Sequence, residues 1–406
     1  MTPLDGSSET RRRVLLISPV PELDPPCGDV IYTQSLLRHP PAGVDYETYD
    51  SALAAGRLRE LGRRDEYRTA RGRRRLGAML RIGRERSINA LRQAGVLFRE
   101  PFRYFSVQPG AYDLVHCHVF SAAFPGLDVP LVTSNALVIE ELYRGARGWS
   151  ETRVRWASQA DALLARSLNV QHTSHGMPGA SAIVCFTETL RHELLRRRAT
   201  TPDRLHVAPC FVERGRRSRA RTAPCRIGFV ATDFASKGGP VVLDAFELVR
   251  RHRTDAELLI IGSPPPTDAA GLKARGITWH PRVPRSMLLE EYLPSLDVFA
   301  YPTQFDGLPL IVLEVLALGI PVATSDYFAM PEIVGDGVAG SVSPQGDAPA
   351  LAQALLRLLD PDENPRARER SGAWFDSHFA PDVAVGHLRR AYDAAAALGV
   401  GHGAAR

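Results

Sequence analysis

Apolar runs of strand length alternate along the first half of the chain with segments of helix length. Helices are predicted over residues 27–39, which begin at a glycine turn, and over residues 188–198. The predicted strands are residues 13–20, 44–50, 112–120, 129–135, 181–187 and 203–211. Strands that alternate with helices in this way predict an α/β fold with parallel sheets.

The pattern restarts after a charged segment that lacks apolar periodicity. We interpret residues 212–226 as a linker between an N-terminal domain, 1–211, and a second domain, 227–380. A helix is predicted over residues 284–293, and residues 381–406 are predicted to form an amphipathic helix and a tail. The sequence therefore predicts two doubly wound domains, and a ligand is expected in the cleft that faces the carboxyl ends of their strands.

One predicted helix, residues 310–318, is apolar except for Glu314. A buried carboxylate without a partner is costly, so a ligand is expected beside it. Pro309 suits the start of the helix, where free N–H groups and the positive helix end favour a phosphate. Glu314 would then accept from ribose hydroxyls, and Asp306, across the turn, from a sugar. The alternatives are a helix-capping or helix-dipole role for Asp306 and a lone exposed charge at Glu314.

A second candidate is Lys237, which follows a predicted strand and precedes two glycines that open a helix. A lysine ammonium is a mobile point charge suited to a diphosphate. Lys237 and Lys273 are the two lysines of a chain whose other basic side chains are arginines and histidines, so a lysine here is not a default choice. The alternative is an ordinary loop lysine.

Two histidines, His116 and His118, lie two positions apart on a predicted strand and point the same way. Metal ligation would need a suitably spaced acidic or cysteine partner, which the sequence lacks. Both can equally be structural, and His118, nearer the carboxyl end of the strand, is the better cleft candidate. Gly28 opens a turn that admits a phosphate or an acceptor, or is a plain turn. Asp360 and its neighbour at 362 lie in a proline-rich turn, so no metal site is predicted there.

Positive charge is concentrated in the predicted basic helical insertion, residues 51–104, where 15 arginines face 5 acidic residues, an excess of 10. Three interpretations stay open: peripheral docking on an anionic membrane, a helical lid over the acceptor site, and a solvated arginine-rich surface. Few aromatic residues accompany these arginines and no nucleic-acid motif is present, so nucleic acid is not expected as a partner.

The cellular location is predicted from what the sequence lacks. No apolar run approaches the roughly 20 residues of a membrane span. The N-terminus does not follow the order of a signal peptide. Five scattered cysteines without CxxC spacing fit reduced thiols. We therefore expect a cytoplasmic protein, with any membrane contact peripheral.

The stretch FDGLPLIVLEVLALGIPVATSDYFAMPEIVGDGVAG, residues 305–340, resembles the retaining GT-B glycosyltransferases of family 4. That family carries Glu-x7-Glu, then a Gly-x-Pro-Val strand and a Pro-Glu-Ile-Val turn. The segments PDRLHVAPCFVE, SKGG with LDAF, and SAIVCFTE also occur in the order usual for the family. The resemblance covers most of the chain and is strongest over residues 227–340.

The resemblance implies a GT-B fold with the C-terminal helix packed back on the N-terminal domain. It also implies transfer from a nucleotide-diphosphate sugar, with retention at the anomeric carbon and without a metal or other cofactor. By position, it implies these roles: Glu314 for the ribose, Asp306 for the sugar, Gly307, Leu308 and Leu310 for the diphosphate, Lys237 for the leaving group, Val283 for the base, His118 beside the sugar, and Gly28 in the acceptor-side loop.

This chain departs from the family pattern at several positions. Asp306 stands where the family has a glutamate, and Thr232 stands where it has an arginine that accompanies the lysine. Phe328 and Ala329 replace a glycine pair. Two alternatives to a glycosyltransferase therefore stay open: a catalytically degenerate nucleotide-sugar-binding protein and a sugar-nucleotide epimerase of the same architecture. The acceptor, whether a glycan, a lipid-linked or a small molecule, is not specified by the sequence.

Overall fold

A computed structural model of the chain describes residues 11–18, 28–61, 90–91, 103–118, 122–124, 126–145, 147–168, 180–198, 200–216, 225–266 and 269–399. The strands are β1 Arg12–Ile17, β2 Val44–Thr48, β3 Leu58–Glu60, β4 Arg103–Val107, β5 Leu114–His118, β6 Ala122–Ala123, β7 Leu131–Asn135, β8 Ala182–Cys185, β9 Leu205–Val207, β10 Arg226–Ala231, β11 Glu257–Gly262, β12 Ile277–His280, β13 Val298–Tyr301, β14 Val322–Ser325 and β15 Gly340–Ser343. The helices are α1 Gly28–Arg38, α2 Tyr49–Ala54, α3 Ile139–Gly145, α4 Glu151–Leu168, α5 Glu188–Arg196, α6 Gly239–His252, α7 Ala269–Ala274, α8 Arg285–Met287, α9 Leu310–Ala317, α10 Met330–Ile333, α11 Ala348–Leu358, α12 Glu363–His378 and α13 Pro381–Leu398.

The first half forms a six-stranded sheet in the order β2-β1-β5-β7-β8-β9, with every pair parallel. All five residues of β5 are buried, as expected for a parallel strand covered on both faces. The strand order reverses direction between β1 and β5, which is where a doubly wound sheet opens a crevice for ligands. Gly28 opens α1, the first described element after β1, and β5 ends at His118, so both sequence candidates lie at this crevice.

The second half forms another parallel sheet, in the order β12-β11-β10-β13-β14-β15. Numbered within this half the order is 3-2-1-4-5-6, the doubly wound order of dinucleotide-binding domains. Its reversal point lies between β10 and β13. The segments that follow these two strands carry Lys237 and Asp306. The predicted α/β fold with two doubly wound sheets is confirmed.

The two halves share one apolar cluster, which includes Tyr32 and Phe211 of the first half and Leu310 and Leu313 of the second. Helix α13 crosses back and packs against β7, β8 and β9 of the first sheet. Tyr392 of this helix is fully buried in the shared cluster. The predicted return of the C-terminal helix to the N-terminal domain is therefore confirmed.

Two predicted elements differ from the structure. The single helix expected after residue 284 is a short helix, α8, then a π-helical turn at Leu288–Tyr292 and a 3-10 turn at Leu293–Ser295. Pro294, which has no N–H to donate back along the helix, lies in the last of these turns. The predicted linker is described at 212–216 and 225–226, and Arg226 already belongs to β10.

The basic helical insertion, 51–104, falls largely on residues 62–89 and 92–102, which lie outside the described residues. At its described start, Leu58–Glu60 is a strand that pairs antiparallel with β4 in a small three-stranded sheet, so the helix prediction is wrong there. Within the described ranges, no helix combines the length and apolarity that crossing a bilayer requires.

Candidate functional site

The turn before α9 brings the two halves of the protein into close contact. Gly307 approaches the loop after β7 so tightly that an added Cβ would lie 3.0 Å from the carbonyl oxygen of Ala136. Helix α9 begins at Leu310 with Pro309 as its N-cap and without a side-chain cap. Asp306 is therefore not the capping residue, and the capping alternative is wrong. The first N–H groups of α9 keep the orientation and positive helix end that suit a phosphate.

The start of helix α1 faces the start of α9 across the cleft. A Cβ at Gly28, the first residue of α1, would lie 3.7 Å from the side chain of Leu310, which is ordinary contact. Leu308 is partly buried and packs against the shared apolar cluster. The first residues of two helices thus lie close together, and a helix N-terminus favours negative charge.

Glu314 is buried, but it is not unpaired. Its side chain is 5% exposed, and it accepts a hydrogen bond from the guanidinium of Arg285, whose side chain is 29% exposed. Burial raises the pKa of Glu314, and the charge and hydrogen bond of Arg285 act in the opposite direction. The expectation that a ligand must relieve an unpaired carboxylate is corrected, because a cation of the same chain already does so. The alternative of a lone exposed charge is also wrong.

A cavity of about 630 Å³ opens beside this ion pair, within the range of small-molecule sites. It lies between α1, the described start of the predicted linker, and the region of α8 and α9. Its charged lining includes Arg38, Arg214, Arg285 and Glu314. Val283, the residue expected beside a base, is partly buried against the shared cluster and is not among the described residues that line the cavity.

Asp306 and Lys237 form an ion pair at the reversal point of the second sheet. The Lys237 ammonium donates to Asp306 Oδ2 at 2.6 Å and to the carbonyl oxygen of Phe305 at 2.8 Å. The Tyr301 hydroxyl also donates to Asp306 Oδ2, at 2.8 Å. Burial and the nearby carboxylate raise the pKa of Tyr301, so its hydroxyl keeps the proton that it donates. One carboxylate oxygen is thus held by two donors, which fixes both charged side chains.

Local backbone geometry places Lys237 at this point. Gly238 is the N-cap of α6 with φ of 85°, a conformation that favours glycine. A Cβ at this position would lie 2.0 Å from the carbonyl oxygen of Pro302, so no larger residue fits. The predicted glycine-opened helix is confirmed. Thr232, where the family has an arginine, is exposed at the end of β10 and supplies no charge.

His116 and His118 are both buried and share one partner, the hydroxyl of Ser134. His116 Nε2 lies 2.9 Å and His118 Nδ1 lies 2.8 Å from Ser134 Oγ. His116 Nδ1 lies 2.6 Å from the hydroxyl of Tyr392. Burial lowers the pKa of His116 to about 3, so this ring is neutral and structural.

His118 is oriented by this network. Its Nε2 lies 3.4 Å from Asp29 Oδ1, in the first turn of α1, and this places it at the crevice of the first sheet. The chain of contacts from Tyr392 through His116 and Ser134 links the C-terminal helix to the candidate histidine. Within the described ranges, no group of three or more His, Cys, Asp or Glu side chains is placed to hold a metal ion.

Sequence reasoning missed Arg285, Tyr301, Ser134 and Tyr392. Tyr301 could have been noticed because it ends the apolar run 298–301, five residues before Asp306. Arg285 lies 29 residues from Glu314, and Tyr392 lies 276 residues from His116. No local pattern encodes such pairs.

Residues 224–361 match the family model described as "Glycosyl transferases group 1". The amylovoran biosynthesis glycosyltransferase AmsK of Erwinia amylovora is 34% identical over 103 residues, which are 23% of this chain and 25% of AmsK. The alpha-D-kanosaminyltransferase of Streptomyces kanamyceticus is 26% identical over 48% of this chain and 55% of its own length. The alignments thus span from a quarter to about half of these relatives.

Two solved structures share the architecture along nearly the whole chain. Sucrose-phosphate synthase from Thermosynechococcus elongatus has a TM-score of 0.58 at 16% identity, covering 94% of this chain and 98% of its own. Anabaena HepE, crystallised with UDP and glucose, has a TM-score of 0.57 at 10% identity, covering 94% and 100%. At these identities the likeness shows the fold, which is that of the GT-B glycosyltransferases.

Proposed function

We propose that this protein is a glycosyltransferase that moves a sugar from a nucleoside-diphosphate sugar to an acceptor hydroxyl. The observation that carries the proposal is the arrangement at the second reversal point. There, an uncapped helix start, Lys237 and Asp306 meet, and Glu314 lies just over one turn inside the helix. All of these residues fall within the segment that matches the glycosyltransferase family model.

Each group has a role in this proposal. The N–H groups at Leu308 and Leu310 and the ammonium of Lys237 hold the diphosphate. Glu314 accepts from the ribose, and the cavity beside Arg285 receives the nucleoside. Asp306 accepts from the sugar through the carboxylate oxygen that Tyr301 and Lys237 leave open. The solved neighbour crystallised with UDP and glucose supports a donor of this class.

We propose transfer with retention, by displacement on one face of the sugar. The acceptor oxygen bonds to the anomeric carbon as the bond to the diphosphate oxygen breaks. That departing oxygen takes the proton of the acceptor hydroxyl, so no separate base is needed. Lys237 and the helix N–H groups stabilise the negative charge that grows on the diphosphate.

A second candidate function is a nucleotide-sugar-binding protein without transferase activity. It is favoured by Thr232, which leaves the phosphate site with one cation fewer than the family pattern, and by the ion pair that already occupies Lys237.

Membrane docking through residues 51–104 and a cytoplasmic location stay predictions.

A mass-spectrometric screen of the purified protein against a panel of nucleotide sugars tests the proposal. The expected result is consumption of at least one donor, by hydrolysis alone or by transfer to an added acceptor. Binding of a donor without consumption would favour the second candidate. A nucleotide sugar converted to its epimer would instead support the epimerase.

A further inference from the structure

A carboxylate of the second half caps a helix of the first half. Glu332, in α10, accepts hydrogen bonds from the backbone N–H of Glu188 at 2.6 Å and of Thr189 at 2.8 Å. It also accepts from the Thr189 hydroxyl at 2.7 Å. These N–H groups are the first of α5, which have no acceptor within their own helix. A charged acceptor at a helix N-terminus makes strong, directional bonds.

The rest of the first turn of α5 is completed locally. Thr187, the N-cap residue, accepts from the N–H of Leu190 at 3.2 Å. Glu332 therefore supplies what the N-cap does not, and it does so from the other side of the cleft. The bond exists only when the two halves are as close as they are here.

The segment that carries Glu332 makes a second contact with the first half of the protein. Phe328 has φ of 47°, in the left-handed region that is unfavourable for a residue with a side chain. Its ring packs against the core cluster of the first half, which includes Ile17 and Cys117. Backbone strain of this kind persists only where the surroundings enforce it. The family pattern has glycine near this position, so the aromatic contact is a property of this chain.

We propose that Glu332 is a positioning residue that fixes the first half over the donor site. The proposal rests on the proposed function, because transfer needs the acceptor side, with His118, at a set distance from the start of α9. Helix α10 follows β14, which pairs with β13 next to the segment that carries Asp306. The hydrogen bonds of Glu332 go to the first turn of α5, and it acts through that helix.

Hydrogen exchange at the start of α5 reads this bond directly. In Glu332→Ala, we expect the amides of Glu188 and Thr189 to exchange at least about 10-fold faster than in the wild type, while the buried strands keep their protection. Glu332→Gln keeps one acceptor oxygen without the charge and should fall between the two. Glu369→Ala removes an exposed glutamate of α12 and is the matched control.

Kinetics then separates positioning from donor binding. With the donor identified by the nucleotide-sugar screen, Glu332→Ala should lower kcat by about 10-fold and leave the donor KM within about twofold. Thr189→Val, which keeps the backbone N–H groups, should lower kcat less. Unchanged exchange in Glu332→Ala, or equal effects in the Glu369→Ala control, would overturn the proposal. Wild-type protein that consumes no nucleotide sugar would overturn the proposed function and the kinetic role, whereas the exchange result would still decide the interdomain bond.

Discussion

Replacing Arg285 with methionine removes the cation that pairs with the buried carboxylate of α9. Glu314 is 5% exposed and Arg285 is 29% exposed, so water reaches the pair from the arginine side only. Breaking a fully buried ion pair costs about 3–5 kcal/mol of folding free energy. Because water partly reaches Arg285, we expect a cost of roughly 2–3 kcal/mol near neutral pH. Methionine keeps most of the apolar stem, so the loss reports on the charge.

The cost should depend on pH because burial raises the pKa of Glu314. A carboxyl whose folded pKa lies above its unfolded value favours folding most when protonated, and its contribution falls as pH rises from the unfolded value through the folded one. Without Arg285 the folded pKa rises further. The difference between Arg285→Met and wild type should therefore be small near pH 4.5 and larger near pH 7.5.

Urea unfolding, followed by tryptophan fluorescence at both pH values, measures this difference. The double variant Arg285→Met, Glu314→Gln should recover part of the stability at pH 7.5, because the unpaired charge is gone. Equal destabilisation at the two pH values, or a loss under about 0.5 kcal/mol at pH 7.5, would refute the assignment of Arg285 as the partner that makes the buried carboxylate tolerable.

Three further outcomes follow. Lys237→Ala should lower donor turnover by about 100-fold, because it loses the charge that stabilises the departing diphosphate. Lys273→Ala, at the exposed second lysine, should leave turnover unchanged, and equal rates in the two variants would exclude a role for Lys237 in catalysis. His116→Gln should reduce the loss of folding stability between pH 6.5 and pH 5, because a histidine whose folded pKa is about 3 opposes folding by about 2 kcal/mol at pH 5. An unchanged dependence of unfolding free energy on pH in the variant would contradict this. Tyr301→Phe, which removes one of two donors to Asp306, should raise the donor KM more than it lowers kcat, and a pure kcat effect would oppose a sugar-binding role for Asp306.

The sequence was enough to predict the fold and the parts of the site that follow from local pattern. Alternating strands and helices imply two doubly wound sheets, and the glycine at 238 marks the start of α6. The apolar run around Glu314 correctly predicts that this carboxylate is buried. These features depend on neighbours within one element or one turn.

What could not be predicted depends on side chains that meet across the fold. The periodicity that marks α9 contains nothing about Arg285, which comes from a separate turn. The hydrogen bonds from Glu188 and Thr189 to Glu332 join residues that are 144 and 143 positions apart in the sequence. They also require the two domains to lie close together. Nothing in the sequence indicated that the helix predicted over residues 284–293 would contain a π-helical turn at Leu288–Tyr292.

The most direct test of the central claim is calorimetric titration of the protein with nucleoside diphosphates. The proposed donor site, formed by Glu314, Lys237 and the start of α9, predicts that the wild type binds at least one of UDP, GDP and ADP. Glu314→Ala and Lys237→Ala should each weaken that binding by about 10-fold or more, with Lys273→Ala unchanged. Equal affinity in wild type, Glu314→Ala and Lys237→Ala would contradict the account, as would no binding of any of the three nucleotides.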